Sequence, residues 1–170
     1  MLDFSNSKIL IVGDVMLDKY YFGKVDRISP EAPVPIVNIQ KEESRLGGAS
    51  NVANNIVSLG GHSLLCGVIG HDLFGKEIER ISRHKNIDTF LLKTSSPTIT
   101  KARIIGGKQQ IVRVDYEDKS ELNADNKKLF RDTISRILPE YDILVISDYG
   151  KGLISEDLCR YLIKLAHKYD

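Results

Sequence analysis

The sequence predicts an α/β fold, in which a parallel sheet carries helices on both faces and a smaller β element lies beside it. Short apolar runs, typical of buried parallel strands, alternate with segments of helical periodicity, and this alternation predicts the sheet and its helices. A proline-rich stretch and an alternating stretch interrupt the rhythm and predict the added β element. The 170 residues contain no repeat or linker and are expected to form one domain.

The first elements follow from apolar runs and their punctuation. Lys8–Gly13 is an apolar run that ends in glycine and is expected to be a buried strand, followed by a loop over residues 14–18. Prolines exclude a helix from residues 20–40, and the extended run 34–39 favours an edge strand. Helical spacing over residues 48–59 predicts a helix, which the glycine pair at 60 and 61 ends.

The middle of the chain predicts a strand, a helix, a third strand and a hairpin. Residues 63–69 and 89–92 have the composition of core strands, and residues 72–84 form a helix with Asp72 as its N-cap. Alternation on both sides of Gly106 and Gly107 predicts a β-hairpin over residues 98–116.

The last elements repeat the helix and strand rhythm. Residues 123–138 are expected to form a helix that Pro139 ends, and the apolar run 142–147 a further strand. A loop over 148–152 and a closing helix over 155–168 complete the prediction.

Composition narrows the classes of function. Twenty-four basic residues against 23 acidic ones give a net charge of +1, which does not favour a nucleic-acid or membrane-surface partner. Cys66 and Cys159 stand apart in apolar surroundings and are interpreted as structural thiols, and the four histidines lack the spacing of metal ligands. No signal peptide is recognisable, and no apolar run approaches the ~20 residues of a membrane span, so we expect a cytoplasmic protein.

The most informative stretch is Gly47-Gly48-Ala-Ser-Asn51 at the start of the predicted helix. Glycines allow a ligand to approach the backbone, and a helix start offers free N–H groups and the positive end of the dipole. Upstream, Asp14 and Asp18 follow the first strand, where carboxylates can accept hydrogen bonds from hydroxyl groups. The alternatives are a turn or helix cap for Asp14 and a surface charge for Asp18.

Two further groups of residues carry charge near the predicted ligand edge. In the hairpin, Lys101, Arg103 and Arg113 share parity if the turn is tight, and such a cluster can bind phosphate; a solvated hairpin face is the alternative. In the loop after the last strand, Asp148 and Lys151 form either a local ion pair or a site where Lys151 reaches a phosphate. The phosphate loop of P-loop proteins and the Gly-x-Gly-x-x-Gly dinucleotide motif are both absent from the sequence.

Six segments together resemble the N-terminal half of the ribokinase-like (PfkB) carbohydrate kinases, and among these the bacterial kinases of D-glycero-β-D-manno-heptose 7-phosphate. They are Gly-Asp-Val-Met-Leu-Asp (13–18), Arg-Ile-Ser-Pro-Glu-Ala-Pro-Val-Pro-Ile (27–36), Gly-Gly-Ala-Ser-Asn-Val-Ala (47–53), Pro-Thr-Ile-Thr-Lys-Ala-Arg (97–103), Gln-Gln-Ile-Val-Arg-Val-Asp (109–115) and Ser-Asp-Tyr-Gly-Lys-Gly (147–152). The resemblance runs over nearly the whole chain, and the segment 27–36 is its most specific part.

The resemblance implies a ribokinase-like fold and ATP-dependent phosphorylation, with Mg²⁺, of the sugar's anomeric hydroxyl on the route to ADP-heptose and the lipopolysaccharide core. Segments 19–40 and 98–116 would form a lid over the sugar. The strands of this lid would also form the contact of a homodimer. Sugar hydroxyls would be held by Asp14, Asp18, Gly48 and Asn51, beside Gly47. From charge we add Lys101, Arg103, Arg113 and Lys151, with Asp148 beside it, as candidates to bind the 7-phosphate or the transferred phosphoryl group.

One departure from the family pattern qualifies this expectation. The 170 residues lack the Gly-Ala-Gly-Asp motif that carries the family's general-base aspartate. The chain is therefore expected to be the N-terminal portion of a kinase domain without its C-terminal part, with no catalytic residue of its own and without the main ATP and Mg²⁺ elements. A kinase for another sugar and a non-catalytic chain that only binds or self-associates are the alternatives.

Overall fold

The computed structural model describes residues 4–118 and 120–169. Those residues form eight strands, four α-helices and one 3-10 turn. The strands are β1 (Lys8–Gly13), β2 (Val15–Ile28), β3 (Pro35–Gly48), β4 (His62–Gly70), β5 (Asp88–Thr94), β6 (Thr100–Gly106), β7 (Gln109–Tyr116) and β8 (Ile143–Ser147). The helices are α1 (Ala49–Ser58), α2 (Leu73–His84), α3 (Ala124–Ile137) and α4 (Glu156–Ala166), with the 3-10 turn at Leu138–Glu140.

The central sheet is parallel and has the strand order β5-β4-β1-β8. Alternation along β1 sends Ile9 and Ile11 into the core that contains α1 and α2. Leu10 and Val12 point the other way, into the core that contains α3 and α4. Because successive side chains of a strand alternate between faces, the apolar run of β1 is buried on both sides, and the predicted helices on both faces are confirmed.

A second sheet, called the lid sheet here, has the order β3-β2-β6-β7. Strand β2 pairs antiparallel with β3 and parallel with β6, and β6 pairs antiparallel with β7. The predicted hairpin is confirmed: its turn lies at Gly107, whose φ of 64° suits glycine. The proline-rich strand β3 lies at the sheet edge, as Pro35 predicted.

The loop predicted over residues 14–18 is wrong, because β2 begins at Val15. Its first three residues, Val15, Met16 and Leu17, are at most 2 % exposed. Their backbone is paired with the end of β3, and the Leu17 N–H donates to the Ile99 carbonyl at 2.9 Å. Buried backbone needs such partners, so the chain passes from the central sheet into the lid sheet without a loop. Asp18 therefore lies on a lid strand.

Most other predicted elements are confirmed to within a few residues. The Asp72 side chain caps α2 by accepting from the Gly75 N–H at 2.8 Å, and Asn123 caps α3 in the same way. Cys66 is buried, and burial raises the pKa of its thiol to about 12, as expected of a structural cysteine. No helix among residues 4–118 and 120–169 is long and apolar enough to cross a membrane. The predicted single domain also includes residues 1–3, 119 and 170, which lie outside the described residues.

Candidate functional site

Asp14 links three segments at the point where the strand order of the central sheet reverses. The strand order places β1 between β4 and β8, so β1 and β8 flank the topological switch point, where open α/β sheets bind ligands. The backbone of Asp14 donates to Ser147 and accepts from Ala49, both at 3.0 Å. Its Oδ2 accepts from the Tyr149 and Lys151 N–H groups at 2.8 and 3.1 Å. Asp14 thus joins β1, α1 and the loop after β8.

The other carboxylate oxygen of Asp14 is buried without a protein partner. Asp14 is 1 % exposed, and its Oδ1 has no hydrogen bond within the described part of the chain. Asp14 also lines a cleft of about 330 Å³. The polar residues of this first cleft are Asp14, Thr94, Ser95, Ser96, Asp118, Ser120, Glu121, Asn123, Asn126 and Lys151. Since an unpaired buried acceptor costs free energy, a ligand hydroxyl reaching Oδ1 would recover it.

The glycine pair forms a direct junction between β3 and α1. A methyl group on Gly47 would lie 2.6 Å from Asp18 Oδ2, and one on Gly48 would lie 2.4 Å from the Asp14 carbonyl oxygen. Gly48 also has a φ of 54°, in the left-handed region. The Ser50 hydroxyl fixes the junction by donating to the Gly47 carbonyl at 2.6 Å. The pair therefore lets both predicted aspartates approach the start of α1.

Asp18 and Asn51 both line a second cleft, of about 520 Å³. Its polar residues are Asp18, Tyr20, Ser44, Arg45, Asn51, Asn54 and Lys85. Asn51 lies in the first turn of α1 and is exposed. The structure therefore divides the predicted sugar-holding residues between two clefts: Asp14 with Lys151 in the first, and Asp18 with Asn51 in the second.

The predicted hairpin cations share one face of the lid sheet. Register places Lys101 beside Asp18 on β2 and Asp115 on β7, and Arg103 beside Tyr20 and Arg113. This face of the lid sheet is called the charged face here, and its residues include Asp18, Tyr20, Lys41, Glu43, Arg45, Lys101, Arg103, Arg113 and Asp115. The parity prediction is confirmed, so the cations can act on one ligand.

Two of these three cations are already paired. Arg103 Nη1 donates to Asp18 Oδ1 at 2.6 Å, and Arg113 makes a two-pronged contact with Asp115 at 2.8 and 3.0 Å. The Asp115 carboxylate raises the pKa of Arg113. Among the described residues Lys101 makes no ion pair.

Lys151 does not pair with Asp148, so the predicted local ion pair is wrong. Its ammonium donates to Glu117, which follows β7, and so connects the loop after β8 to the lid sheet. Asp148 is exposed and accepts from the Gly150 N–H at 2.8 Å, which closes a tight turn. Because the Asp148 carboxylate is occupied by this turn, Lys151 forms its ion pair with Glu117 instead.

Sequence reasoning missed Tyr20, Arg45, Asn54 and Lys85, which also line the second cleft. The Tyr20 ring lies between two guanidinium groups, 4.9 Å from that of Arg45 and 5.2 Å from that of Arg103. The signal was the alternation of Asp18 and Tyr20, which share a face once residues 15–28 are recognised as a strand.

A metal ion bound by the protein alone needs several donor side chains placed close together. No group of three or more His, Cys, Asp or Glu side chains within residues 4–118 and 120–169 is placed to hold a metal ion. The described residues therefore contain no ready-made cluster of metal-binding side chains.

Comparison with known proteins places these features in context. The pfkB family carbohydrate kinase model matches residues 6–170. Bifunctional protein HldE of Helicobacter pylori strain P12 is 47 % identical over 164 residues, which cover 95 % of this chain and 36 % of that protein. D-beta-D-heptose 7-phosphate kinase of Bordetella bronchiseptica is 46 % identical over 151 residues, 88 % of this chain and 48 % of that one. The chain thus spans a third to a half of these relatives.

Solved structures give the fold independently. A carbohydrate kinase from Agrobacterium tumefaciens matches with a TM-score of 0.70 at 17 % identity, over 96 % of this chain and 51 % of that one. Phosphofructokinase-2 from Escherichia coli in complex with fructose-6-phosphate matches with a TM-score of 0.70 at 20 % identity, over 96 % and 52 %. At these identities the likeness shows the fold alone, and it confirms the ribokinase-like α/β prediction.

Proposed function

The chain belongs to the pfkB family of carbohydrate kinases, and we propose that it binds D-glycero-β-D-manno-heptose 7-phosphate for phosphorylation at O1 by ATP. The product would be the 1,7-bisphosphate on the route to ADP-heptose and the lipopolysaccharide core. The relatives at 46 and 47 % identity, one of them a heptose 7-phosphate kinase, support this substrate. A cytoplasmic location is proposed with it, since ATP is the phosphoryl donor.

One observation carries the proposal: Asp18 and Asn51 share a cleft, and Asp18 lies on the same lid face as Lys101, Arg103 and Arg113. Carboxylate and carboxamide groups suit sugar hydroxyls, and a lid with three cations suits a phosphate. A sugar without phosphate has no use for the second half of this arrangement.

The remaining predicted residues take roles that follow from their positions. We assign Asp14 Oδ1 to a sugar hydroxyl, because it is the unpaired buried acceptor of the first cleft. Gly47 and Gly48 shape the junction between the clefts. Lys151 is a candidate for phosphate, reached by exchange from Glu117, and Asp148 keeps the loop after β8 in its turn.

Phosphoryl transfer depends on positioning and charge stabilisation around ATP and Mg²⁺. The contacts proposed above concern the sugar, and among the described residues no three or more His, Cys, Asp or Glu side chains are grouped to hold a metal ion. ATP and Mg²⁺ are therefore proposed from the family, and the general base is expected from a Gly-Ala-Gly-Asp motif, which these 170 residues lack. We expect the chain to bind sugar without transferring a phosphoryl group.

The proposal is tested by calorimetric titration with heptose 7-phosphate and with the unphosphorylated heptose. Charge-assisted hydrogen bonds to the phosphate should make the first ligand bind about 10- to 100-fold more tightly. Equal affinity would reject the heptose 7-phosphate assignment in favour of another sugar. ATP turnover by the purified chain would contradict the expectation that it only binds.

A homodimer through the lid strands is part of the proposal. The face of the lid sheet opposite the charged face, called the apolar face here, carries four side chains that are each 39–45 % exposed. They are Val25, Ile39, Val112 and Val114. Exposed apolar side chains gathered on one sheet face are typical of protein–protein contacts.

A further inference from the structure

We propose that the Asp18–Arg103 ion pair is an exchangeable lock on the sugar site. In this inference Arg103 leaves Asp18 when the phosphate of the ligand reaches the lid, and the released carboxylate then accepts sugar hydroxyls. The inference rests on the proposed function and adds how the same site rejects a sugar that carries no phosphate.

In the absence of ligand, Asp18 is already paired with a cation. Arg103 Nη1 lies 2.6 Å from Asp18 Oδ1, and both side chains are 22 % exposed, so the pair is partly shielded from water. The other oxygen, Oδ2, lies against Gly47. A hydroxyl group that approaches Asp18 must therefore compete with a guanidinium for a crowded carboxylate.

The charged face of the lid sheet carries more positive than negative charge. Lys101, Arg103 and Arg113 lie together, and the carboxylates beside them are Asp18 and Asp115. On β3 the same face carries Lys41 and Arg45, which share the single carboxylate of Glu43. Glu117, the next acidic residue of the lid chain, is paired with Lys151. Positive charge is therefore in excess on this face, and Arg103 stands directly opposite Arg113, an unfavourable pairing of like charges. A phosphate between these cations would remove both penalties.

The Tyr20 ring offers Arg103 a surface along which its guanidinium can move. Its guanidinium lies over the Tyr20 ring, 5.2 Å from the centroid, and donates to the Lys101 carbonyl at 3.3 Å. An aromatic face supports a guanidinium in more than one position, whereas a hydrogen-bonded fork fixes it. The pair Arg113–Asp115 has that fixed form, with two contacts along one strand, and is more exposed.

Exchange couples the two halves of the ligand. A phosphorylated sugar supplies Arg103 with a new partner and gains Asp18 in return. An unphosphorylated sugar gains Asp18 only by leaving Arg103 unpaired. Coupling of this kind is reciprocal, so phosphate must improve sugar binding by the factor by which sugar improves phosphate binding.

The inference predicts opposite effects of one substitution on two ligands. Arg103→Met should weaken binding of heptose 7-phosphate by about 10- to 100-fold, because a charged contact is lost. The same substitution should tighten binding of the unphosphorylated heptose by about 3- to 10-fold, because Asp18 is released. Lys101→Met should weaken binding of heptose 7-phosphate without tightening binding of the unphosphorylated heptose. Arg160→Met, which removes a surface ion pair on α4, is the control for loss of an arginine.

A second measurement needs no variant. Saturating inorganic phosphate should tighten binding of the unphosphorylated heptose to the unsubstituted chain, compared with sodium chloride at equal ionic strength. Circular dichroism checks that each variant is folded. Should Arg103→Met fail to fold, Arg103→Lys and the phosphate titration decide.

The outcomes separate the lock from the proposed function. The lock is rejected and the proposed function stands if the unsubstituted chain prefers heptose 7-phosphate but two results go against the lock. These are that Arg103→Met weakens binding of both ligands alike, and that inorganic phosphate does not change binding of the unphosphorylated heptose. If the unsubstituted chain shows no preference for the phosphorylated ligand, the proposed function fails and the lock fails with it. A gain for the unphosphorylated heptose in Arg103→Met, together with the phosphate effect, supports both.

Discussion

Single atoms decide how the junction of β3 and α1 is built. Gly48 has a left-handed φ of 54° and leaves 2.4 Å between a hypothetical methyl group and the Asp14 carbonyl oxygen. That oxygen also accepts from the Ala49 N–H, so it cannot move away without losing the first hydrogen bond of the junction. The glycine is therefore required by the backbone of the protein itself, whatever the ligand requires.

Gly48→Ala should lower the free energy of unfolding by about 3 kcal/mol or more, because strain at a left-handed φ adds to a backbone clash. Urea denaturation of the 170-residue chain measures this. The control is Gly60→Ala, which has a φ of 91° but nothing within 4 Å of the new methyl group. It should cost about 1 kcal/mol. Equal losses in the two variants would show that the clash with Asp14 is relieved.

Asp14 and Asp18 show what residue patterns could and could not predict about the site. Their type and their position after β1 pointed to the ligand edge of the sheet. Their orientation depended on whether residues 15–17 form a loop or a strand, and three apolar residues between two aspartates fit both. The pairing of Lys151 with Glu117 joins residues 34 positions apart, and no local pattern reports it.

At the scale of elements, prediction succeeded where a pattern is local. Strand β1 is an apolar run, α1 has helical spacing, and the hairpin has a glycine turn, so each follows from its own residues. Strands β2 and β3 are each 14 residues long; no strand was predicted from the residue pattern for β2, and β3 extends well beyond the extended run predicted over residues 34–39. Their length comes from pairing with each other and, for β2, also with β6. Such pairing is a property of tertiary structure that the spacing of side chains along one segment does not contain.

The start of α2 provides the clearest test at this scale. The Asp72 carboxylate accepts from the Gly75 N–H and from both the N–H and the hydroxyl of Thr98, at 2.7–2.8 Å. It therefore caps the helix and also fastens the segment that leads into β6. Burial raises the pKa of Asp72, but these hydrogen bonds outweigh it, so the pKa lies below its ordinary value.

Asp72→Ala should cost about 2–4 kcal/mol at pH 7, since a cap and two further hydrogen bonds are lost. Because the folded-state pKa lies below the unfolded one, this contribution is present above about pH 4 and is lost as the pH falls through the folded pKa. Urea unfolding at several pH values should thus show the gap between the two proteins narrowing in acid.

Asn123→Ala is the matched control for Asp72→Ala, because Asn123 caps α3 by accepting from the Asn126 N–H at 2.8 Å and carries no charge. Its cost should be about 1 kcal/mol and independent of pH. A gap for Asp72→Ala that stays constant between pH 7 and pH 3 would contradict the role of the ionised carboxylate.

At the scale of the whole molecule, the lid sheet has two faces of opposite character. The charged face adjoins the second cleft through Asp18. The apolar face is covered near its base by α2, where Phe74 packs against Tyr116 with ring centroids 5.5 Å apart. Beyond α2 the side chains of Val25, Ile39, Val112 and Val114 stay exposed. One face thus suits a polar ligand, and the other suits a second protein surface.

If a second copy of this chain covers the apolar face, a charge placed there must weaken the dimer. Val112→Asp combined with Val114→Asp should raise the dissociation constant by at least about 100-fold, because two carboxylates would be buried without partners. Sedimentation velocity over a range of concentrations measures this. The control is Ile163→Asp, at a 45 % exposed apolar position on α4 away from the lid sheet. If the unsubstituted chain is monomeric, or if Ile163→Asp raises the dissociation constant by the same factor, the lid contact is refuted.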